Sequence, residues 1–171
     1  MLALISRRIL ALTILLSALT ANAGELLLST PLLGELNQVL RASDNLHKSL
    51  ISQNEEQIEM SIRDMVFQLE KARMASQQAK PHERQHLVRI IEAAREQFEL
   101  TQSAFGQERR DRLEEAYNQL VNLVRIYKVD KVYAIYFCPK DKTTWVQKGV
   151  KPQNPFRSDR EPCGIKIPSS K

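Results

Sequence analysis

Four amphipathic stretches follow one another along this chain with very short connections between them. In each stretch, apolar side chains recur at three- and four-residue intervals, which places them on one face of a helix. The four apolar faces begin at Leu32, Ile58, Leu87 and Leu113. Because connections this short force consecutive helices to run antiparallel, residues 24–130 are predicted to form an up-down-up-down four-helix bundle.

Local signals indicate where some of these helices begin and end. Asn54 and Gln57 can form a capping pair at the start of the second helix. Pro81 suits the first turn of the third helix, where its missing N–H costs no hydrogen bond. Gly106 is predicted to end the third helix as a C-cap, because glycine readily adopts the left-handed conformation.

Residues 1–23 have the features of a secretory signal peptide. Two arginines precede an apolar run over residues 9–19, and the sequence Ala-Asn-Ala at 21–23 forms a small-x-small cleavage site. No comparable apolar run follows, so the mature chain, residues 24–171, is predicted to contain no transmembrane segment. We therefore expect a periplasmic or secreted protein.

Charge is unevenly distributed along the mature chain. Residues 24–127 carry 13 Lys and Arg against 16 Asp and Glu, whereas residues 128–171 carry 10 against 4. Since nucleic acid is not expected where an exported protein works, we predict that the chain does not bind it. The basic tail is interpreted as a solvated segment, with an anionic membrane surface or an acidic protein as alternative partners.

After Asp130 the pattern changes from helix to strand. β-Branched and aromatic residues flank the sequence Pro-Lys-Asp-Lys at 139–142, which is typical of a β-hairpin, and the rest of residues 131–171 is predicted to be mostly loop. Cys138 and Cys163 are the only cysteines, and an isolated pair in an exported protein commonly forms a disulfide. The predicted fold is therefore mainly α, with a disulfide-clamped hairpin and loop tail packed on the bundle. A reduced pair that binds Cu(I) is the alternative.

The sequence His82-Glu83-x-x-His86 has the spacing of a zinc-protease motif, in which two imidazoles on one helix face bind the metal. Glu108 is a candidate third ligand. However, the charged Arg84 lies between the histidines, and the motif opens a helix at the margin of its apolar face. We therefore predict a solvated helix start without a catalytic site.

His47 falls in the middle of the first apolar face. A histidine in this position is commonly a hydrogen-bonded core residue, and a metal ligand is the alternative. The sequence Asp44-x-x-His47 would also supply an imperfect second half of a di-iron carboxylate site, with Glu83-x-x-His86 as the first half.

Met60, Phe67 and Met74 recur every seven residues on the side of the second helix opposite its main apolar face. We call these three residues the outer stripe. The tail, a second subunit or another protein could cover it, and we predict the tail because the tail must pack somewhere. A copper site built from the methionine sulfur atoms is the alternative.

A set of short motifs occurs in order in the tail: Cys138-Pro139, Trp145, Asn154-Pro155-Phe156 and Cys163-Gly164. This set resembles the ending of a bacterial family of unknown function, found alone and fused to periplasmic adaptor subunits of copper and silver efflux pumps. The resemblance implies a helical bundle finished by a cysteine-bracketed segment, in which Trp145 and Phe156 supply a small satellite core. Lys140 stands where the family usually has a methionine, so the resemblance does not extend to a copper site in the tail.

These observations lead to three hypotheses of different classes. The first is an exported, non-enzymatic interaction or accessory protein without a cofactor, which binds a protein partner in the cell envelope and is linked to heavy-metal efflux or envelope homeostasis. The second is a periplasmic metal-binding protein of copper type that uses His47, the cysteines or the outer stripe. The third, a minor alternative, is a zinc-dependent hydrolase with His82 and His86 as ligands.

Overall fold

The computed structural model describes residues 26–79, 81–157 and 162–168. The predicted signal peptide, residues 1–23, lies outside the described residues. The helices are α1 (Thr30–Ser52), α2 (Glu55–Gln77), α3 (Pro81–Thr101) and α4 (Gly106–Ile126), and the strands are β1 (Tyr133–Cys138), β2 (Thr143–Lys148) and β3 (Ile165–Ile167).

The four helices confirm the predicted bundle. α1 packs against α2, α2 against α3 and α3 against α4, as the short connections require. The apolar faces meet in the interior, where Leu36, Met65, Ile91 and Leu120 are completely buried. None of the helices in the described part of the chain has an apolar stretch long enough to cross a membrane.

Two of the three predicted helix boundaries are confirmed. The Oδ1 atom of Asn54 accepts a hydrogen bond from the backbone N–H of Gln57 at 3.0 Å, so Asn54 caps α2. Pro81 is the first residue of α3. The predicted C-cap at Gly106 is wrong, because α3 already ends at Thr101, whose buried hydroxyl hydrogen-bonds back into its own turn. Gly106 instead begins α4, with a φ of +57°.

The tail forms a three-stranded antiparallel sheet in the order β2-β1-β3. β1 and β2 are the predicted hairpin, in which Tyr136 pairs with Trp145 and Cys138 with Thr143. β3 was not predicted, because its three residues are too few to show the alternation of a strand. It pairs with the other edge of β1, so β1 is the central strand.

The sheet fills a gap between the first and the last helix. β2 packs against both α1 and α4, and β1 also contacts α4. Trp145, Val146 and Phe156 belong to the same buried cluster as the helix side chains. The expectation that Trp145 and Phe156 form a satellite core is therefore wrong. They complete the single core, because the side of the bundle between α1 and α4 is covered by the tail.

The tail does not cover the outer stripe. Met60, Phe67 and Met74 are 53%, 61% and 49% exposed, and the sheet lies against α1 and α4 instead. The prediction that the tail packs on the outer stripe is wrong, because the apolar side chains of the tail join the buried cluster between α1 and α4. The outer stripe faces solvent.

Cys138 and Cys163 form the predicted disulfide across a sequence separation of 25 residues. Cys138 ends β1, and Cys163 lies just before β3. The bond therefore joins the end of β1 to the segment that leads into β3, and it closes the loop that contains Trp145 and Phe156. It also leaves neither sulfur as a thiolate ligand for Cu(I).

Replacing both cysteines by serine should destabilise the whole fold. A disulfide that closes a loop of this length contributes about 3.5 kcal/mol on the chain-entropy estimate. Because sheet and helices share one core, we expect the fluorescence of Trp145 and the helical circular dichroism to report the same urea transition, shifted to lower urea. A fluorescence transition that precedes the helical transition would show that the tail unfolds separately, and would contradict this account.

Candidate functional site

Trp145 lies at the centre of the tail and is fully buried. Its ring stacks on Tyr136, with 6.0 Å between the ring centroids, and its Nε1 donates a hydrogen bond to Oε1 of Gln147 at 2.8 Å. The same Oε1 accepts from the backbone N–H of Gln153 at 3.0 Å, while Nε2 of Gln147 donates to the carbonyl of Lys151 at 2.7 Å. Gln147 thus satisfies the indole and holds the following loop over it.

Asn154 and Phe156 fasten the next part of the loop. Nδ2 of Asn154 donates to the hydroxyl of Thr143 at 3.0 Å, and its Oδ1 accepts from the backbone N–H of Phe156 at 3.0 Å. The ring of Phe156 meets Tyr117 of α4 edge-on, with centroids 5.5 Å apart. The loop is therefore tied to the sheet on one side and to the bundle on the other.

Gly164 occupies a position where a side chain does not fit. A Cβ atom there would lie 2.7 Å from Cβ of Pro152 and 2.9 Å from Cη2 of Trp145, closer than non-bonded carbon atoms pack. The disulfide at Cys163 holds this backbone against the indole. The cysteines, the tryptophan, the Asn-Pro-Phe segment and the glycine that carry the family resemblance thus all serve to hold the tail together.

His47 is a buried polar link between α1 and the tail. Its Nε2 lies 2.8 Å from the backbone carbonyl oxygen of Gln153, and because a carbonyl only accepts, Nε2 carries the proton in this contact. Burial lowers the pKa of His47 below its ordinary value and outweighs the contact with Gln153 and the charge of Asp44, both of which raise it. His47 is thus a hydrogen-bonded core residue, as its place on the first apolar face indicated.

The residues of the zinc-protease motif do not come together with the candidate third ligand. The side chains of His82 and Glu83 lie outside the described residues. His86 is exposed on α3 and lines a shallow groove beside Gln119 of α4. Glu108 lies at the start of α4, and the short turn between α3 and α4 places that start beside the end of α3. Glu108 and His86 are therefore at opposite ends of this helix pair.

The other predicted metal sites are also not assembled. No group of three or more His, Cys, Asp or Glu side chains that could hold a metal ion occurs in residues 26–79, 81–157 and 162–168. Met60 and Met74 are about 21 Å apart along α2, too far to share one copper ion. His47 lies near the end of α1 and His86 near the start of α3, so the up-down order separates the two halves of the di-iron motif.

A cleft of about 500 Å³ opens at the end of the bundle where α2 and α4 begin, between the apolar side chains of Ile58 and Phe156. Arg109 is buried in its wall. Its Nε donates to the carbonyl of Ala104 at 2.7 Å, and its Nη1 to Oε2 of Glu55 at 2.8 Å. Sequence reasoning missed Arg109, because no local pattern shows that a charged residue at a helix start is buried. With these donors engaged, Arg109 ties the start of α4 to the start of α2.

The outer stripe is a line of three exposed apolar side chains along α2, with charged side chains on both flanks. Its three side chains span about 21 Å along α2, and their direction drifts by only about 20° per seven residues. On the opposite side of α2, Ile62, Met65 and Leu69 are buried in the core. The outer stripe is therefore a preformed helical surface of the kind that binds another protein, and it is the candidate functional site.

Gly164→Ala should destabilise the protein by about 1–3 kcal/mol, because the added methyl group would push against Pro152 and Trp145. Gly34→Ala is the matched control: no atom lies within 4 Å of a Cβ at that position in α1, so alanine should be neutral or stabilise the helix. Urea denaturation of the two variants checks this. Equal stability of both would contradict the close packing of Gly164 on the indole.

His47 should make stability fall as the pH is lowered. Its pKa is lower in the folded protein than the ordinary value of 6.5, so the unfolded chain takes up the proton first. The stability that neutral His47 contributes is fully present above about pH 6.5 and is lost progressively below that pH. His47→Gln should therefore flatten the change in melting temperature between pH 7.5 and pH 5. The exposed His86→Gln retains His47 and should keep the wild-type profile; identical profiles for all three proteins would contradict the assignment.

No protein family, curated protein or solved structure was found to match this chain. Membership of the bacterial family of unknown function that the tail resembles therefore stays a prediction.

Proposed function

We propose that the protein is an exported, non-enzymatic interaction protein of the cell envelope, which binds a protein partner through the outer stripe. The exposure of Met60, Phe67 and Met74 is the observation that supports this proposal. Each side chain is about half exposed, and all three lie on one line of one helix. Apolar side chains that recur on one face of a helix are the anchors by which a helix commonly binds another protein.

The outer stripe differs from the other exposed apolar side chains of the described residues. The ring of Phe105 lies under the guanidinium of Arg109, with 5.1 Å between the ring centroid and Cζ of Arg109. Val150 lies in the bend just after β2. Neither residue belongs to a set that recurs along a helix, and single exposed apolar side chains are normal for a protein surface. The outer stripe is a repeated arrangement along a helix, which gives a partner several anchor points at once.

The packing of α2 against the core supports a binding role. The buried face of α2 fixes the backbone beneath the outer stripe, so binding would not require the helix to fold. The exposed side chains are two methionines and one phenylalanine, residue types that are enriched where proteins meet. The flexible methionines can adapt their shape, while the phenylalanine provides a rigid centre.

Export and the envelope location rest on three supporting observations. The sequence of residues 1–23 is that of a signal peptide. The disulfide of Cys138 and Cys163 is of the kind that persists outside the reducing cytosol. The tail resembles a family found on periplasmic adaptor subunits of metal efflux pumps, which is why we link the function to heavy-metal efflux or envelope homeostasis.

The proposal predicts that position 67 touches another protein in living cells. A photoreactive phenylalanine analogue at Phe67 should form a covalent adduct with the partner on irradiation, because the side chain would be covered in the complex. Denaturing electrophoresis and mass spectrometry of the purified adduct give its mass and composition.

The same analogue at Leu100 is the matched control, since Leu100 is an exposed apolar residue on a different helix. We expect a discrete adduct from position 67 and none from position 100. Absence of any adduct from position 67, or the same adducts from both positions, would overturn the proposal.

A further inference from the structure

The charges beside the outer stripe are arranged in two pairs. With 3.6 residues per turn, Arg63 and Glu70 project roughly 40–60° to one side of Phe67, and Asp64 and Lys71 project by similar angles to the other. Each flank therefore carries one positive and one negative charge. One charge on each flank lies toward the start of α2, and the other lies toward its end.

This arrangement is complementary to itself. If a second α2 is turned end over end about a two-fold axis at Phe67, each flank faces the same flank of the second copy. Arg63 of one copy then lies beside Glu70 of the other, and Asp64 lies beside Lys71, with an axial offset of about 1.5 Å. The operation also brings Met60 of one copy against Met74 of the other, so the apolar residues match along the whole stripe.

The ends of the outer stripe distinguish the antiparallel from the parallel orientation. Glu56 and Gln78 lie on the line of the stripe, beyond Met60 and Met74, and both are exposed. An antiparallel pair places Glu56 opposite Gln78, a neutral hydrogen-bond donor. A parallel pair places Glu56 opposite Glu56, and like charges at such a position are destabilising.

We propose that the partner of the outer stripe is a second copy of this chain, packed antiparallel through α2 about a two-fold axis at Phe67. This inference rests on the proposed function, because it names the occupant of the same surface. The seam is one helix face in width, much smaller than the roughly 1,600 Å² of a standard stable interface. The dimer therefore forms reversibly and depends on protein concentration.

The flanking charges can exchange partners on association. Within one copy, Lys71 lies 3.3 Å from Glu35, and the two side chains are 39% and 30% exposed. Asp64 accepts a hydrogen bond from Gln68 at 3.0 Å. Contacts of this kind at a surface contribute only about 0–1 kcal/mol, so exchanging them for the Asp64–Lys71 pair between copies costs little. Arg63 likewise is close to Glu59 at 3.5 Å on the exposed side of α2. Glu70, in contrast, accepts two hydrogen bonds from Arg73, at 2.9 and 2.7 Å, so in the dimer it contacts Arg63 of the other copy while it keeps Arg73.

Sedimentation velocity of the purified, oxidised protein over a hundredfold concentration range tests the inference. Wild type should shift from monomer to dimer, and Phe67→Glu should remain monomeric. Leu100→Glu, which introduces the same charge on α3, should dimerise like wild type. Circular dichroism establishes that each variant is folded. A wild type that is monomeric throughout, or a folded Phe67→Glu variant that dimerises normally, would overturn the inference.

A charge exchange tests the register. Asp64→Lys should weaken the dimer at least severalfold, because it places a second ammonium group beside Lys71 of the other copy. The double variant Asp64→Lys with Lys71→Asp should recover much of the affinity, since the signs are exchanged but still opposite. Equal dimerisation of the single and double variants would overturn the proposed pairing of the flanks.

Cysteine cross-linking tests the orientation. The native cysteines are bonded to each other, so an introduced cysteine is the free thiol of its variant. Met60→Cys and Met74→Cys proteins, mixed and mildly oxidised, should form a mixed disulfide in preference to either symmetric one. Preferential symmetric disulfides would overturn the antiparallel arrangement.

Failure of this inference can be separated from failure of the proposed function. A monomeric wild type, together with a cellular adduct at position 67 that contains a different protein, would leave the proposed function standing and remove the second copy as partner. An adduct of twice the mass of the chain supports both. No adduct at position 67 would overturn the proposed function itself.

Discussion

The sheet between α1 and α4 is the feature on which the rest of the structure depends. α1 and α4 meet directly at points such as the hydrogen bond from the hydroxyl of Tyr117 to the carbonyl of Ser43, at 3.1 Å, but β2 lies against both helices. The indole of Trp145 is buried at this junction, and aromatic side chains of this size remove about 150–250 Å² from water. Without the sheet, the apolar faces of both helices would remain open on one side.

Because the aromatic sheet is buried in this position, the polar groups buried with it need hydrogen-bond partners. The indole N–H, the loop amide at Gln153 and the imidazole of His47 all need partners in the interior, where water is excluded. Gln147 and the carbonyl of Gln153 supply them through one connected set of hydrogen bonds. The set links α1 to β2 through the loop, and it explains why a histidine is accommodated in an otherwise apolar helix face.

Much of this architecture could be predicted from sequence, because helices leave a periodic signal. The spacing after Leu32, Ile58, Leu87 and Leu113 predicted all four helices, and the hairpin followed from its turn. The helix faces against which the tail packs could not be predicted in this way. Periodicity shows that a helix has an apolar face but not how far apart two helices lie, and the gap between α1 and α4 depends on their packing in three dimensions.

The candidate site was partly predictable for the same reason. The seven-residue recurrence identified Met60, Phe67 and Met74 as an apolar line, but its exposure depends on where the tail lies. The sequence predicted the disulfide of Cys138 and Cys163 and a hydrogen-bonded His47. It could not identify the carbonyl of Gln153 as the partner of His47, because the two residues are far apart in the chain. Residue type therefore indicated which interactions a side chain can make, and its neighbours in the folded structure determined which of them it makes.

The contact between His47 and Gln153 joins residues 106 positions apart in the chain. A ribosome makes α1 well before the segment from β2 to Phe156, so the side of α1 that the sheet covers stays open until that segment has been made. Structures that depend on such distant contacts fold late and expose apolar surface in the meantime. The order of the elements along the chain thus delays completion of the core until the sheet has been made, and it gives the growing chain an interval in which a chaperone can bind the open side of α1.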